Sequence, residues 1–146
     1  MIKTKLGDLV VAQEGLQVLV DLSNEGKLAF TPGYGVARIL KAAQPELEGF
    51  RAKQFELYKK YGEEVMIPDL DAEGKEVLDE NGAVKLKGSG NWQAKPENQV
   101  QIKSDLEALI DTDVELVSVV KLKAKDLEGL NLSIKTISAL EPLISE

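Results

Sequence analysis

The twelve residues from Asp69 to Glu80, DLDAEGKEVLDE, put oxygen-bearing side chains at positions that a calcium-binding loop would use. Such a loop takes ligands from positions 1, 3, 5 and 12 and needs Gly at position 6 for a sharp turn. Here these are Asp69, Asp71, Glu73 and Glu80, with Gly74 at the turn. The match departs from the pattern at Glu76, which stands where an apolar residue lets two loops pair, and at Glu73, which is longer than the usual ligand. Asn81-Gly82 also follows Glu80 where an exiting helix should begin. A solvated acidic hairpin is therefore the default expectation for the segment, and a calcium site the alternative.

Other candidate chemistry is sparser. Thr31-Pro32-Gly33-Tyr34-Gly35 offers amides at a helix start, the raw material of an anion site, but it lacks the third Gly and the βαβ setting of a nucleotide fingerprint. Capping of a helix, with Thr31 as N-cap and Pro32 at the first position, is the simpler expectation. Trp92, the single tryptophan, lies in a Gly/Ser/Asn-rich stretch and reads either as a partner anchor or as a cap over helices. The chain has no cysteine and no histidine, which closes disulfide, thiolate, Cys-ligated zinc, Ser-His-Asp and HExxH chemistry. Carboxylate-pair or Ser-Lys catalysis has the residue types, yet no spacing marks out a pair, so no enzyme and no cofactor is expected.

Charge narrows the partners. There are 18 Lys+Arg against 25 Asp+Glu, for a net −7. Residues 1–62 hold 9 basic and 7 acidic side chains, whereas 63–80 alone hold 8 acids and one lysine. That segment would be repelled by a phosphate backbone or an anionic membrane, so neither nucleic acid nor membrane is expected as a partner. Lys121, Lys123 and Lys125 read as the solvated face of an edge strand. The N-terminal apolar run is broken by Asp8, Gln13 and Glu14, and no stretch reaches the roughly 18 apolar residues of a membrane span. The expectation is a soluble, intracellular protein.

These residues need elements to position them. MIKTKL alternates as a half-buried strand, and Leu9, Leu16, Leu19, Val20 and Leu22 suggest an amphipathic helix over 8–23, ended by Asn24-Glu25-Gly26. Val36, Leu40, Ala43, Leu47, Phe50, Leu57 and Tyr61 step by four and three, with Gln54 filling the skipped position. This is a heptad seam that asks for a partner helix. Pro45 should kink or break it. A second helix from Pro96, with Ile102, Leu106, Leu109 and Ile110, is the expected partner, antiparallel because the chain reverses through 63–95. Asp71-Ala72-Glu73-Gly74 and Asp79-Glu80-Asn81-Gly82 repeat at a spacing of eight, and Asn81-Gly82 suggests a type I′ turn between Val77-Leu78 and Val84-Leu86. Val114 to Leu122 reads as a strand pairing with MIKTKL, and Ser138-x-x-Glu141 as a capping box before a last short helix.

The expected architecture is an α+β, mostly helical single domain over 1–146. It has an antiparallel helix pair, a small antiparallel sheet, and an acidic β-hairpin projecting at 63–95. The interaction surface would be Val36, Leu40, Leu47, Phe50, Leu57, Tyr61 and Trp92, used for self-association or a protein partner.

The ordered set of Thr31-Pro32 with Ala37-Arg38-x-Leu40, Tyr58-Lys-Lys-Tyr-Gly-Glu63, the two hairpin repeats, Leu106-x-x-Leu-Ile-Asp-Thr-Asp-Val-Glu-Leu116 and Ile137-Ser-Ala-Leu-Glu-Pro-Leu-Ile144 resembles a family of small acidic phage and prophage proteins. The resemblance covers nearly the whole chain and carries over no catalytic residue. It implies a structural or assembly component, placed in the host cytoplasm or on the virion. Three other roles remain open: an acidic mimic of nucleic acid that inhibits a host protein, a calcium module at 69–80, and a carboxylate hydrolase.

Overall fold

A computed structural model describes residues 1–146. β1 (Ile2–Lys5) leads directly into α1 (Leu6–Asn24), followed by α2 (Phe30–Tyr61), β2 (Gly62–Pro68) and β3 (Leu86–Ala94). A 3-10 turn at Pro96–Asn98 opens α3 (Gln99–Ile110), then come β4 (Asp113–Leu116), β5 (Leu122–Lys123), α4 (Ile134–Leu140) and β6 (Ile144–Ser145). The class is α+β and mostly helical, a helical hairpin with small sheets. Where one domain with an excursion at 63–95 was expected, the chain divides into two units, residues 1–51 with 107–146, and residues 52–106.

In the first unit, α1 buries Leu6, Leu9, Ala12, Leu16 and Leu19, one side of a 3.6-residue period. The helix ends in a Schellman arrangement: Lys27 N donates to Leu22 O and Gly26 N to Ser23 O, with Gly26 at φ +73°. β1 pairs antiparallel with β4 in the expected order, Ile2 opposite Leu116 and Thr4 opposite Val114. The expected strand from Val114 to Leu122 is cut short at Leu116, and Ser118 adopts φ +62° where the chain turns. It resumes as β5, which pairs in parallel with β6 at the C-terminus. Lys121, Lys123 and Lys125 are all exposed, but they do not share an edge strand: only Lys123 lies in β5, Lys121 precedes it, and Lys125 belongs to a 3-10 turn over Ala124–Leu127. The Ser138–Glu141 capping box is not used. α4 starts earlier, capped by Ser133, whose Oγ accepts from Thr136 N at 3.1 Å, so that Leu140 and Leu143 both reach the core.

The heptad seam is divided. Val36, Ile39, Ala43 and Leu47 of α2 join Leu9, Ala12, Leu16 and Leu19 of α1 in one apolar cluster, while Leu40 is only half-buried. The first half of the seam therefore packs into the first unit's core instead of mating with α3. In the second unit the end of α2 is tied to the 3-10 turn that precedes α3, where Asn98 Nδ2 donates to Tyr61 O at 2.9 Å, and Ile102 of α3 is buried. Pro45 neither breaks nor ends the helix. Pro45 and Lys41, whose carbonyl loses its amide donor, are both exposed, so water can take the place of the missing bond. The helix begins at Phe30, so Thr31 and Pro32 belong to its first turn, and Thr31 stands two residues beyond the N-cap position at Ala29.

The second unit holds β2 paired antiparallel with β3, with a register shift between Glu64 and Met66. Between these strands lies a threefold pattern. The segments 69–76, 77–84 and 85–92 each carry Leu at their second position and Gly at their sixth. Gly74, Gly82 and Gly90 have φ +81°, +78° and +78°. The three first-position residues close a ring of backbone bonds: Asp69 N to Lys85 O at 2.8 Å, Lys85 N to Val77 O at 2.7 Å, Val77 N to Asp69 O at 2.9 Å. The Asn81-Gly82 turn is not type I′, because only Gly82 has positive φ. It is a type I turn closed by a left-handed glycine, held by Asp79 Oδ1, which accepts from Asn81 N and Ala83 N at 2.8 and 3.0 Å.

Candidate interaction surface

The four carboxylates proposed as calcium ligands are distributed over two turns of this pattern. Asp71 Oδ1 already accepts from Glu73 N at 2.9 Å and Lys75 N at 3.0 Å, the same Asx arrangement that Asp79 makes eight residues on. Glu80 belongs to the second turn, and Lys75 is drawn to Glu73 at 3.7 Å. No three acidic side chains converge on a point that could hold a metal ion. The match to a calcium loop is thus a by-product of an eight-residue repeat: spacing supplied oxygens at 1, 3, 5 and 12, and the turns spend the key one, Asp71, on their own backbone.

The glycines of Thr31–Gly35 serve packing. A side chain at Gly33 would stand 3.1 Å from Ser23 Oγ, and one at Gly35 would stand 3.2 Å from Leu122 Cδ2. Gly33 N is itself bonded to Ala29 O. From Gly33 onward the amides of this segment lie inside the helix.

Of the residues expected to face a partner, Val36 and Leu47 are 1% and 5% exposed and belong to the core, so they are not free for one. Leu40 and Phe50 are half-buried against that core. Leu57, Tyr61 and Trp92 are half-buried in the second unit. There Lys59 Nζ stands 5.5 Å from the Phe55 ring centre and 5.9 Å from that of Trp92, so the tryptophan is covered in part by a cation. Next to it, the Lys60 ammonium is held above its ordinary pKa, first by hydrogen bonding and charge interaction with Tyr61 and then by Asp105.

The exposed apolar surface lies elsewhere. On α2, Phe30 and Tyr34 stack with ring centres 6.1 Å apart, and Arg38 stands 5.9 Å over Tyr34. Phe30 is 84% exposed. These residues recur every four positions, so they form a ladder along one side of the helix. The Arg38 guanidinium also donates to the carbonyl of Ser118, the left-handed residue that turns the chain after β4. Together they border a groove of about 560 Å³ whose walls are Tyr34, Ala37, Ala42, Val117 and Val119 and whose charged groups are Arg38 and Lys41, with no carboxylate. Sequence reasoning missed this ladder because Thr31–Gly35 looked like a cap. The signal was the i, i+4, i+8 placement of Phe30, Tyr34 and Arg38 off the apolar face.

The second exposed apolar set is Leu70, Leu78 and Leu86, the second residues of the three repeats, at 50%, 57% and 53% exposure. Acidic side chains flank the first two, Asp69 and Asp71 beside Leu70 and Asp79 and Glu80 beside Leu78, whereas Leu86 stands between Lys85 and Lys87.

A depression of about 780 Å³ in the first unit is lined by Lys3, Lys5 and Lys121 and by Asp8, Asp113, Glu115 and Glu141. Its charges are largely spent on one another, with Lys3 to Glu115 at 3.0 Å and Lys5 to Asp113 at 2.8 Å. Hydrogen bonding to Asp113, with Asp111 assisting, holds Lys5 above the ordinary lysine range. No charged or polar residue of the protein is buried, so the structure gathers no desolvated acid of the kind that acid-base catalysis uses. No helix is long and apolar enough to cross a membrane. Compared with known proteins, the chain matches no family model, no curated protein and no solved structure.

Proposed function

We propose that the protein acts by protein–protein contact, as a non-enzymatic structural or assembly component in a phage or prophage setting. The observation that supports this is the placement of large apolar and aromatic side chains at regular exposed positions, Phe30 and Tyr34 on one helix and Leu70, Leu78 and Leu86 on the repeats, each beside charges that fix orientation. Aromatic and arginine side chains of this kind contribute most where they are covered by a partner. The setting comes from the ordered motifs, which resemble small phage and prophage proteins.

The test is capture with the purified chain as bait from an infected or induced host, alongside two variants, Phe30→Ser with Tyr34→Ser, and Leu70→Ser with Leu78→Ser and Leu86→Ser. The expected result is a defined partner, a structural protein or the chain itself, lost in at least one variant while both keep the wild-type helical signal. Retention of every partner by both variants would overturn the proposal.

A further inference from the structure

The two exposed apolar sets carry opposite charges. The groove beside Tyr34 holds two cations and no acid, and its walls are apolar. The first two repeats present half-exposed Leu70 and Leu78 among carboxylates, in a segment that holds 8 acids and one lysine between residues 63 and 80, while Leu86 of the third lies between Lys85 and Lys87 and is not part of the acidic patch. We infer that the groove of one copy takes an acidic, leucine-bearing turn of a second copy, with Arg38 and Lys41 facing its carboxylates and Tyr34, Ala37 and Val117 covering its leucine. This rests on the proposed function and names the partner it leaves open.

Charge complementarity selects this occupant. A nucleic acid would offer phosphates to only two cations while meeting a chain of net −7, and phosphate binding is carried by many such contacts. The acidic turn offers both what the cations need and what the apolar walls need, on backbone closed by the bonds among Asp69, Val77 and Lys85. Asp71 and Asp79 are committed to holding the turns and Glu73 is shared with Lys75 at 3.7 Å, so Glu76 and Glu80 are the first to meet a partner's cations, with Glu73 able to exchange its exposed pair for one across the contact. Because groove and turn are different patches, the contact is heterologous, and its repetition gives a ring or an open filament.

The experiment is sedimentation velocity of the full chain over a range of concentration and salt, with two complementary variants. Variant one, Arg38→Glu with Lys41→Glu, has a dead groove and intact turns. Variant two, Glu73→Gln with Glu76→Gln and Glu80→Gln, has an intact groove and neutralised turns. The wild type should exceed the 15.9 kDa chain mass as concentration rises and fall back as salt rises. Each variant alone should associate at least tenfold more weakly, and an equimolar mixture should form a two-chain species that grows no further. Since Arg38 also holds the Ser118 turn, Tyr34→Ala with Lys41→Glu serves as a second groove variant and should behave like the first.

A wild type that stays monomeric throughout overturns the inference, while the capture experiment judges the proposed function separately. Variants that associate as well as the wild type also overturn it, since the copies would then be meeting through another surface. A monomer whose groove binds a different acidic protein overturns the second copy as occupant and leaves protein contact as the role.

Discussion

Gly15 and Gly49 both lie inside long helices, and the structure predicts opposite outcomes when each becomes alanine. By helix propensity alone each change should stabilise by about 1 kcal/mol. At Gly49 there is nothing within 4 Å of the added carbon, and the gain should appear in full. At Gly15 the added carbon would stand 2.7 Å from Leu140 Cγ, 3.0 Å from Leu140 Cδ2 and 3.3 Å from the carbonyl oxygen of Thr136. Leu140 is fully buried, so displacing it disturbs the packing of the core. Overpacking of this kind costs about 1–3 kcal/mol, which exceeds the propensity gain. The net for Gly15→Ala is a loss of about 1 kcal/mol, a fall in Tm of about 2–4 °C in a chain of this size. Thermal and urea unfolding of the two single variants and of Gly15→Ala with Leu140→Ala measure it. In the Leu140→Ala background, which by itself costs about 2–5 kcal/mol, the clash is gone and Gly15→Ala should stabilise. A rise in Tm for Gly15→Ala in the otherwise wild-type chain would refute the close approach of α1 and α4.

Three further outcomes follow from local chemistry. Thr4 Oγ1 is buried with no hydrogen-bond partner, so Thr4→Val, which keeps the shape and removes the orphan hydroxyl, should raise stability by about 1 kcal/mol in urea unfolding. Gly82→Ala puts a side chain at φ +78° and should cost about 1–2 kcal/mol, read as faster hydrogen exchange at the Val77 and Lys85 amides that complete the ring. Lys5 is held protonated by Asp113 and Asp111, so its contribution is complete below the ordinary lysine pKa of about 10.4 and disappears as pH rises through its higher folded value. Wild type and Lys5→Met should therefore differ in Tm at about pH 8 and converge in strongly alkaline buffer; a gap that persists there would mean the lysine acts through packing of its stem.

The elements that announce themselves by periodicity were legible. MIKTKL alternates and pairs with 113–116, and the apolar steps of α1, α2 and α3 give helices close to the expected bounds. A heptad says that a helix has a partner, not which one. Leu9, Ala12, Leu16 and Leu19 compete for the same stripe as α3, and they win over its first half. β5 and β6 are two residues each, too short to show any period. The third repeat was hidden by its substitutions. Lys87 stands where Asp71 and Asp79 stand in the other two, and it cannot accept an amide, so Ser89 Oγ bonds to Asn91 N and Glu64 Oε1 to Gly90 N instead. Gly-Ser-Gly then resembles a plain loop. The site was less legible than the fold, because a face left uncovered has no constraint on its spacing, and Phe30 and Tyr34 sit beside residues that a cap explains equally well.

The closed circuit linking Asp69, Val77 and Lys85 sets a limit on how this segment can change. An open stack of repeats grows by adding whole units at either end, but a circuit of three amides and three carbonyls has no end to extend. A fourth copy of the octapeptide would leave one unit outside, with its first amide and carbonyl unmatched, and a chain with two would leave a gap. Insertions should be tolerated at the turns and refused between units, so the number of units is as much a part of this structure as their sequence.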